Sequence, residues 1–299
     1  MSTRDRRGLW MAIGAYALWG VMPLYWHLLS AVPALQIVLH RIVWSALFVG
    51  GYLLWRDGRH WLRRTLAQPR LWWMLLLSGL LIACNWGLYI WAVNAGHVVE
   101  SALGYFINPL FNVLLGVLLL RERLRPLQWL AVALAALGVL WLALQHGRLP
   151  WIALALAASF GLYGLLRKLA HVDAVAGLGV ESAYLLPPAL LGLAWYALHT
   201  PGGLFAGSGA GGAALLVFGG VVTALPLVGF AYAVRRVPLA TIGLLQYLSP
   251  TLQFLIGVFV FGEPFDRTRL VGFACIWLAL AVFAADGLRR GRAAPAPPE

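Results

Sequence analysis

Apolar runs of about twenty residues recur along this chain, each followed by a short polar or basic segment. At 1.5 Å rise per residue, a helix of that length covers about 30 Å, the thickness of a bilayer's hydrocarbon core. The runs fall at 8–30, 34–55, 71–94, 98–120, 127–146, 149–166, 174–198, 213–234, 239–261 and 269–287. They predict an all-α integral membrane protein of ten transmembrane helices. Connections are short except for 56–70 and the glycine-rich 199–212.

Composition agrees. Of 299 residues, 62% are hydrophobic and only 11% charged, against about a quarter charged in an ordinary soluble domain. Ten spans consume the chain and leave no stretch for a globular domain. The opening Arg4-Asp5-Arg6-Arg7 followed by an apolar run resembles a signal peptide, but the run continues for about twenty residues and reads as a retained first helix.

The net charge of +12 would raise the question of nucleic acid in a soluble protein. Here the charges punctuate the apolar runs, so the lipid bilayer is the expected partner and nucleic acid is not. Eighteen basic residues fall on one side of the predicted spans and three, Arg148, Arg267 and Arg269, on the other. That bias predicts an inner-membrane protein with both termini cytoplasmic. Cys84 and Cys275 lie inside apolar runs and read as small buried side chains, so no disulfide framework, metal site or cofactor is expected.

Shifted by 141 residues, the chain begins to match itself. Trp10 falls on Trp151, Gly20 on Gly161, Pro109 on Pro250, Gly116-Val117 on Gly257-Val258 and Glu122 on Glu263. Each unit would hold five helices, an odd number, so the second must enter from the opposite side. This predicts two inverted five-helix repeats, 1–146 and 147–288, followed by a disordered cytoplasmic tail, 289–299. Many secondary transporters are built this way.

Candidate chemistry gathers at mid-membrane. Pro109 and Pro250 would each remove a helical hydrogen bond and free the carbonyl four residues earlier, next to Asn108, Asn112, Gln246, Ser249 and Gln253. Such helix breaks either pack against neighbours or frame a wet central site. His40, Arg41 and Glu181 are ionisable residues within spans, and the 141-residue shift sets Glu181 opposite His40. Charges at that depth must pair, snorkel or face water. One reading makes them structural links. The other places His40 and Glu181 on a solute pathway, with Glu181 a candidate proton carrier, because burial disfavours a charged carboxylate. Glu122 and Glu263 read as interfacial partners of nearby arginines. Trp19, Trp86 and Trp91, beside Tyr16, Tyr25, Asn85 and Tyr89, could wall a site for an amphipathic solute or simply fill space.

The chain contains no Gly-x-Ser-x-Gly, His-Glu-x-x-His, Walker loop or Cys-x-x-Cys. Secondary transport is the leading expectation, and the chain is not expected to be an enzyme. The rival readings are an intramembrane enzyme acting on a lipid-linked substrate and a non-transporting membrane subunit.

Several words along the chain resemble the RarD-type branch of the EamA transporters, within the drug/metabolite transporter superfamily. They include Leu18-Trp19-Gly20, His40-Arg41-Ile42-Val43-Trp44-Ser45 and Asn85-Trp86. Gly104 to Pro109, Phe160 to Gly164 with Arg167-Lys168, and Leu245 to Phe254 belong to the same set. The resemblance runs from about Gly8 to Asp286 and implies ten helices around a central cavity lined chiefly by spans one, three, four, six, eight and nine. Such relatives export amino acids, metabolites or amphipathic drugs, and the branch carries a chloramphenicol-sensitivity label. On this resemblance the candidate cavity residues for a small-molecule substrate are Trp19, Tyr25, Asn85, Tyr89, Tyr105, Asn108, Tyr163 and Gln246, with protons a candidate coupling ion.

Overall fold

A backbone buried in hydrocarbon must satisfy its polar groups internally, and the α-helix does so within one segment. In a computed structural model, which describes residues 3–95, 97–145, 150–205, 208–262 and 267–293, the chain follows that rule and forms no strand among them. The helices are α1 (Thr3–His27), α2 (Ala34–Asp57), α3 (His60–Leu66), α4 (Pro69–Asn94), α5 (Val98–Leu118) and α6 (Pro126–Leu144). They continue with α7 (Trp151–Leu169), α8 (Ala174–His199), α9 (Gly209–Val234), α10 (Leu239–Gln246), α11 (Leu248–Phe259) and α12 (Arg267–Ala293). Eight segments among the described residues are long and apolar enough to cross a membrane, α10 and α11 counting together as Leu239–Phe259. Two shorter apolar helices, Leu103–Leu118 and Leu270–Asp286, accompany them. Large side chains such as Trp55, Leu191 and Phe259 are exposed on the outside, where lipid replaces water as their solvent.

The helices pack in a defined set of neighbours. α2 lies against α8 and α9, α4 against α7 and α8, α5 against α7 and α10, α1 against α9 and α11, and α6 against α12. Close approach needs small residues where lipid offers no hydrophobic drive between helices. Gly220 is such a point: a Cβ there would meet the Trp44 backbone at 2.5 Å, and its carbonyl accepts the Ser45 hydroxyl at 2.8 Å.

The arginine-bearing helix ends share one face. Gly8 at the start of α1 meets Arg236 and Val237 after α9. Arg56 at the end of α2 reaches Asp173 before α8 at 3.3 Å, and Arg125 before α6 reaches Asp286 of α12 at 2.6 Å. Beyond the opposite ends, a 3-10 turn, Gly203–Phe205, offers the Leu204 carbonyl to Gln36 and His40 of α2.

Several sequence expectations change in detail. The 56–70 connection contains α3, whose Trp61 packs against the main core. Cys84 is exposed on the bundle surface, not buried. Pro109 does not break its helix: α5 runs through it, because losing one hydrogen bond leaves the flanking turns intact. Near Pro250 the chain does change, from α10 to α11 across Tyr247, whose hydroxyl donates to the Phe106 carbonyl of α5 at 3.1 Å. Helix α12 continues to Ala293, into the segment expected as a tail, while 294–299, Arg148 and Glu263 lie outside the described residues.

Candidate functional site

The bundle encloses a cavity of about 420 Å³, within the range of small-molecule sites. Its wall is built from the ends of helices far from the arginine-rich face. Trp19 and Trp26 come from α1, Arg41 from α2, Asn85, Trp86 and Tyr89 from α4, and Tyr105 and Asn108 from α5. Phe160 of α7, Thr223 of α9, Gln246 of α10, and Ser249, Pro250 and Gln253 of α11 complete it. Among the described residues, no side chain of α6 or α12 takes part. The start of α2 also lines it, because Arg41 turns inward there.

Among the described residues, Arg41 is the one charged group on this wall. Its guanidinium lies between two indoles, 4.8 Å from the Trp26 ring and 5.0 Å from the Trp86 ring, and its Nε donates to the Thr223 hydroxyl at 2.9 Å. Flanking rings stabilise a cation through their quadrupoles without neutralising it. Tyr89 and Tyr105 meet edge to face at 5.9 Å. Asn85 is tied to α7, donating to the Leu156 carbonyl and the Ser159 hydroxyl, each at 2.9 Å. Asn108 is buried, and its Oδ1 has no hydrogen-bond partner.

Below the cavity, toward the arginine-rich face, the bundle is closed. Trp19 packs against Tyr16, Phe160 and Phe230, and Phe230 stacks on Tyr163 with centroids 5.9 Å apart. Asn112 donates to Gln246 at 2.7 Å, joining α5 to α10. Deeper still, Glu122 accepts from the backbone N–H groups of Leu239 and Ala240 at 2.7 and 2.9 Å, where the positive end of α10 favours a carboxylate. Lys168 stands 3.5 Å from Glu122 and donates to the carbonyls of Val234 and Val237. Arg235, just past α9, donates to the Val172 carbonyl. Burial, with Arg236 beside it, lowers the Arg235 pKa from the usual arginine value.

Glu181 belongs to this closed half. Its Oε1 accepts from Ser78 at 2.5 Å and lies 3.4 Å from Arg167 Nη1, while Arg167 Nη2 donates to the Ala174 carbonyl at 2.9 Å. Both ionic side chains are buried, at 1% and 2% exposure. Gly177 makes room, since a Cβ there would collide with the Arg167 guanidinium. The Oε2 atom of Glu181 has no partner, and beside it is a void of about 20 Å³, room for one water. Tyr163 lines that void, and Ile82, Trp86, Thr223 and Leu227 wall both it and the large cavity.

Of the residues proposed from sequence, Trp19, Arg41, Asn85, Tyr89, Tyr105, Asn108, Gln246 and Pro250 meet around the large cavity. Four others do not. Tyr25 turns to donate to the Leu215 carbonyl, Tyr163 lies beneath the aromatic floor, and Glu181 sits behind the shared wall. His40 is buried, with Nε2 2.8 Å from the Leu204 carbonyl and Nδ1 accepting from Trp44 at 3.1 Å, so it secures the turn after α8 and lines neither space. A nearby polar partner claims the side chains of Tyr25, His40 and Glu181, and aromatic packing claims that of Tyr163. Arg167 is the residue sequence reasoning missed. Counted as one of the basic loop residues, it is buried. The signal was the short 170–173 link, which returns the chain beside it and brings Glu181 within reach.

Comparison with known proteins agrees with this architecture. Residues 6–144 match the EamA-like transporter family. An uncharacterized transporter of Pseudomonas aeruginosa is 51% identical over 98% of both chains. The protein RarD of Streptomyces exfoliatus is 46% identical over 96% of this chain and 91% of its own. The RarD of Escherichia coli is 43% identical over 95% and 96%. A solved crystal structure, 21% identical, superposes with a TM-score of 0.69 over 92% of this chain and 96% of its own, and so shares the fold. By these matches the chain belongs to the EamA-like transporter family, as a RarD-type, multi-pass membrane transporter.

Proposed function

We propose that this protein is a secondary active transporter that exports a small metabolite, amino acid or amphipathic drug-like solute by alternating access between two inverted five-helix halves. The observation that carries the proposal is the asymmetry across the bundle. A cavity large enough for such a solute occupies one half and a packed, ion-paired closure the other. Only a barrier on one side at a time permits coupled transport.

Helix packing supports the repeat. Shifting by 141 residues exchanges α1 with α7, α2 with α8, α4 with α9, α5 with α10–α11, and α6 with α12. Under that exchange the α5–α7 contact becomes α1–α11, α4–α7 becomes α1–α9, and α2–α9 becomes α4–α8. The pairs α2–α8, α5–α10 and α6–α12 map onto themselves. On this reading the shorter apolar helices Leu103–Leu118 and Leu270–Asp286 also cross, giving ten spans in the inner membrane. The arginine-rich face is cytoplasmic, with both termini on it, so the cavity opens outward. Glu181 is the candidate proton carrier: an unpartnered oxygen beside a water-sized void, behind a wall shared with the solute cavity.

The test is counterflow in proteoliposomes with labelled amino acids, amines and chloramphenicol, with and without a pH gradient, beside Glu181→Gln. Saturable flux of one solute class, with its pH response lost in the variant, is expected. An unchanged pH response in Glu181→Gln would remove the proton role. No flux of any solute from folded protein would favour the enzyme and subunit readings.

A further inference from the structure

Among the described residues, the buried and half-buried arginines are met by acceptors, with one exception. Arg167 has Glu181 and the Ala174 carbonyl, Arg125 has Asp286, Arg235 the Val172 carbonyl and Arg236 the Tyr232 carbonyl. Arg41 has only the Thr223 hydroxyl, on Nε, and two indole faces. Among the described residues it forms no ion pair, and no Asp or Glu lines the cavity it faces. A guanidinium stays protonated at any pH the protein meets. Withdrawn from bulk water without a counter-charge, it gains most from an oxyanion that can take its free Nη donors side by side.

We infer that the transported solute is an amphipathic organic anion, its carboxylate held by Arg41 between Trp26 and Trp86 and its apolar body against the aromatic wall. The inference rests on the transporter reading and narrows it to a substrate class. Three further observations fit. The flanking indoles hold the guanidinium plane in place, so little order is lost when the anion docks. Trp19, Tyr89, Tyr105 and Phe160 supply apolar surface for the rest of the solute. The unpartnered Asn108 Oδ1 on the same wall offers an acceptor to a hydroxyl or N–H elsewhere on it. A cationic amine would meet Arg41 with no acid to offset it. Binding also has a structural route to the closed half, because Trp86 and Thr223, the two groups that hold Arg41 from α4 and α9, also wall the void beside Glu181.

The test is calorimetric titration of the full-length protein in zwitterionic-lipid nanodiscs with phenylacetate, phenylacetamide and benzylammonium, paired with counterflow of the same three compounds. Phenylacetate should bind about tenfold tighter than its neutral amide, the scale of one charge-assisted contact, and benzylammonium weakest. Arg41→Gln should bring acid and amide together, whereas Arg41→Lys should keep a reduced preference for the acid. Thermal melts establish that both variants fold. Equal affinity for acid and amide, preference for the amine, no binding by the acid, or an undiminished preference in Arg41→Gln would each overturn the inference. Repeating the titration in phosphatidylglycerol nanodiscs separates a soluble anion from a lipid headgroup: unchanged affinity supports the former, and loss by competition overturns it. Binding is read without flux, so the two readings fail separately. A charge preference without flux sinks transport alone, and flux without charge preference sinks the anion site alone.

Discussion

Around Arg167 each charged group faces a protein partner, whereas around Arg41 the guanidinium faces aromatic rings and open space. The two sites lie in opposite halves of the same bundle and draw on several of the same helices. In the arginine-rich half, carboxylates reach across helix boundaries: Glu181 to Arg167, Glu122 to Lys168 and the start of α10, Asp286 to Arg125. Those links join α7 to α8, α5 to α7 and α10, and α6 to α12, so that half is closed by interactions with direction. In the other half the helix ends present indole, phenol and amide groups to a cavity, and among the described residues neutral hydrogen bonds and the Arg41–Thr223 contact join them with no ion pair. A closed half held by a modest number of specific links can open when they are exchanged. A half held by uniform apolar packing would have no such discrete alternative.

The largest expected effect comes from breaking the buried pair. Arg167→Met leaves Glu181 buried and unmatched, which should destabilise the protein by about 3–5 kcal/mol, read as a lowered melting temperature in detergent. Adding Glu181→Gln should recover most of that loss, since replacing a whole buried pair is often nearly neutral. Failure of the second change to rescue the first would mean the two residues do not act as a pair.

A smaller effect is expected from Glu122→Ala. It removes two charge-assisted hydrogen bonds at the start of α10 and unpairs Lys168, at a cost of about 1–3 kcal/mol. Its sharper signature is conformational: a thiol-labelling site in the closed half should become reactive from the arginine-rich side. Unaltered labelling there would show that this link does not hold the closure.

The least effect on stability, within about 0.5 kcal/mol, is expected in the open half. Tyr89→Cys, placed in a variant lacking Cys84 and Cys275, should react readily with a membrane-impermeant thiol reagent. Phe230→Cys, its equivalent under the 141-residue shift, should stay inert, because Phe230 is 0% exposed and Tyr89 38%. Equal labelling of the two positions would erase the contrast between the halves.

Much of this could be read without a structure. Run length and low charge called for membrane-crossing helices, and the words around Trp19, Arg41, Asn108 and Gln246 pointed to the EamA transporters before any packing was known. Two residues show the limit. His40 and Arg41 are adjacent in one helix and both were candidates for the pathway, yet one secures a turn and the other faces the cavity. Arg167 read as a loop charge and proved to be among the most buried side chains.

What the sequence determined by itself was the solvent: apolar runs of this length are stable only as helices in lipid, and that follows from local hydrogen bonding and transfer free energy. Which face of each helix turns inward was decided only in the tertiary structure. Lipid-facing and protein-facing sides are alike apolar, so hydropathy carries no signal for lateral packing. The partners of Arg41, Arg167 and Glu181 come from helices distant in the chain, and only the assembled bundle determines which charge is matched and which is left for a solute.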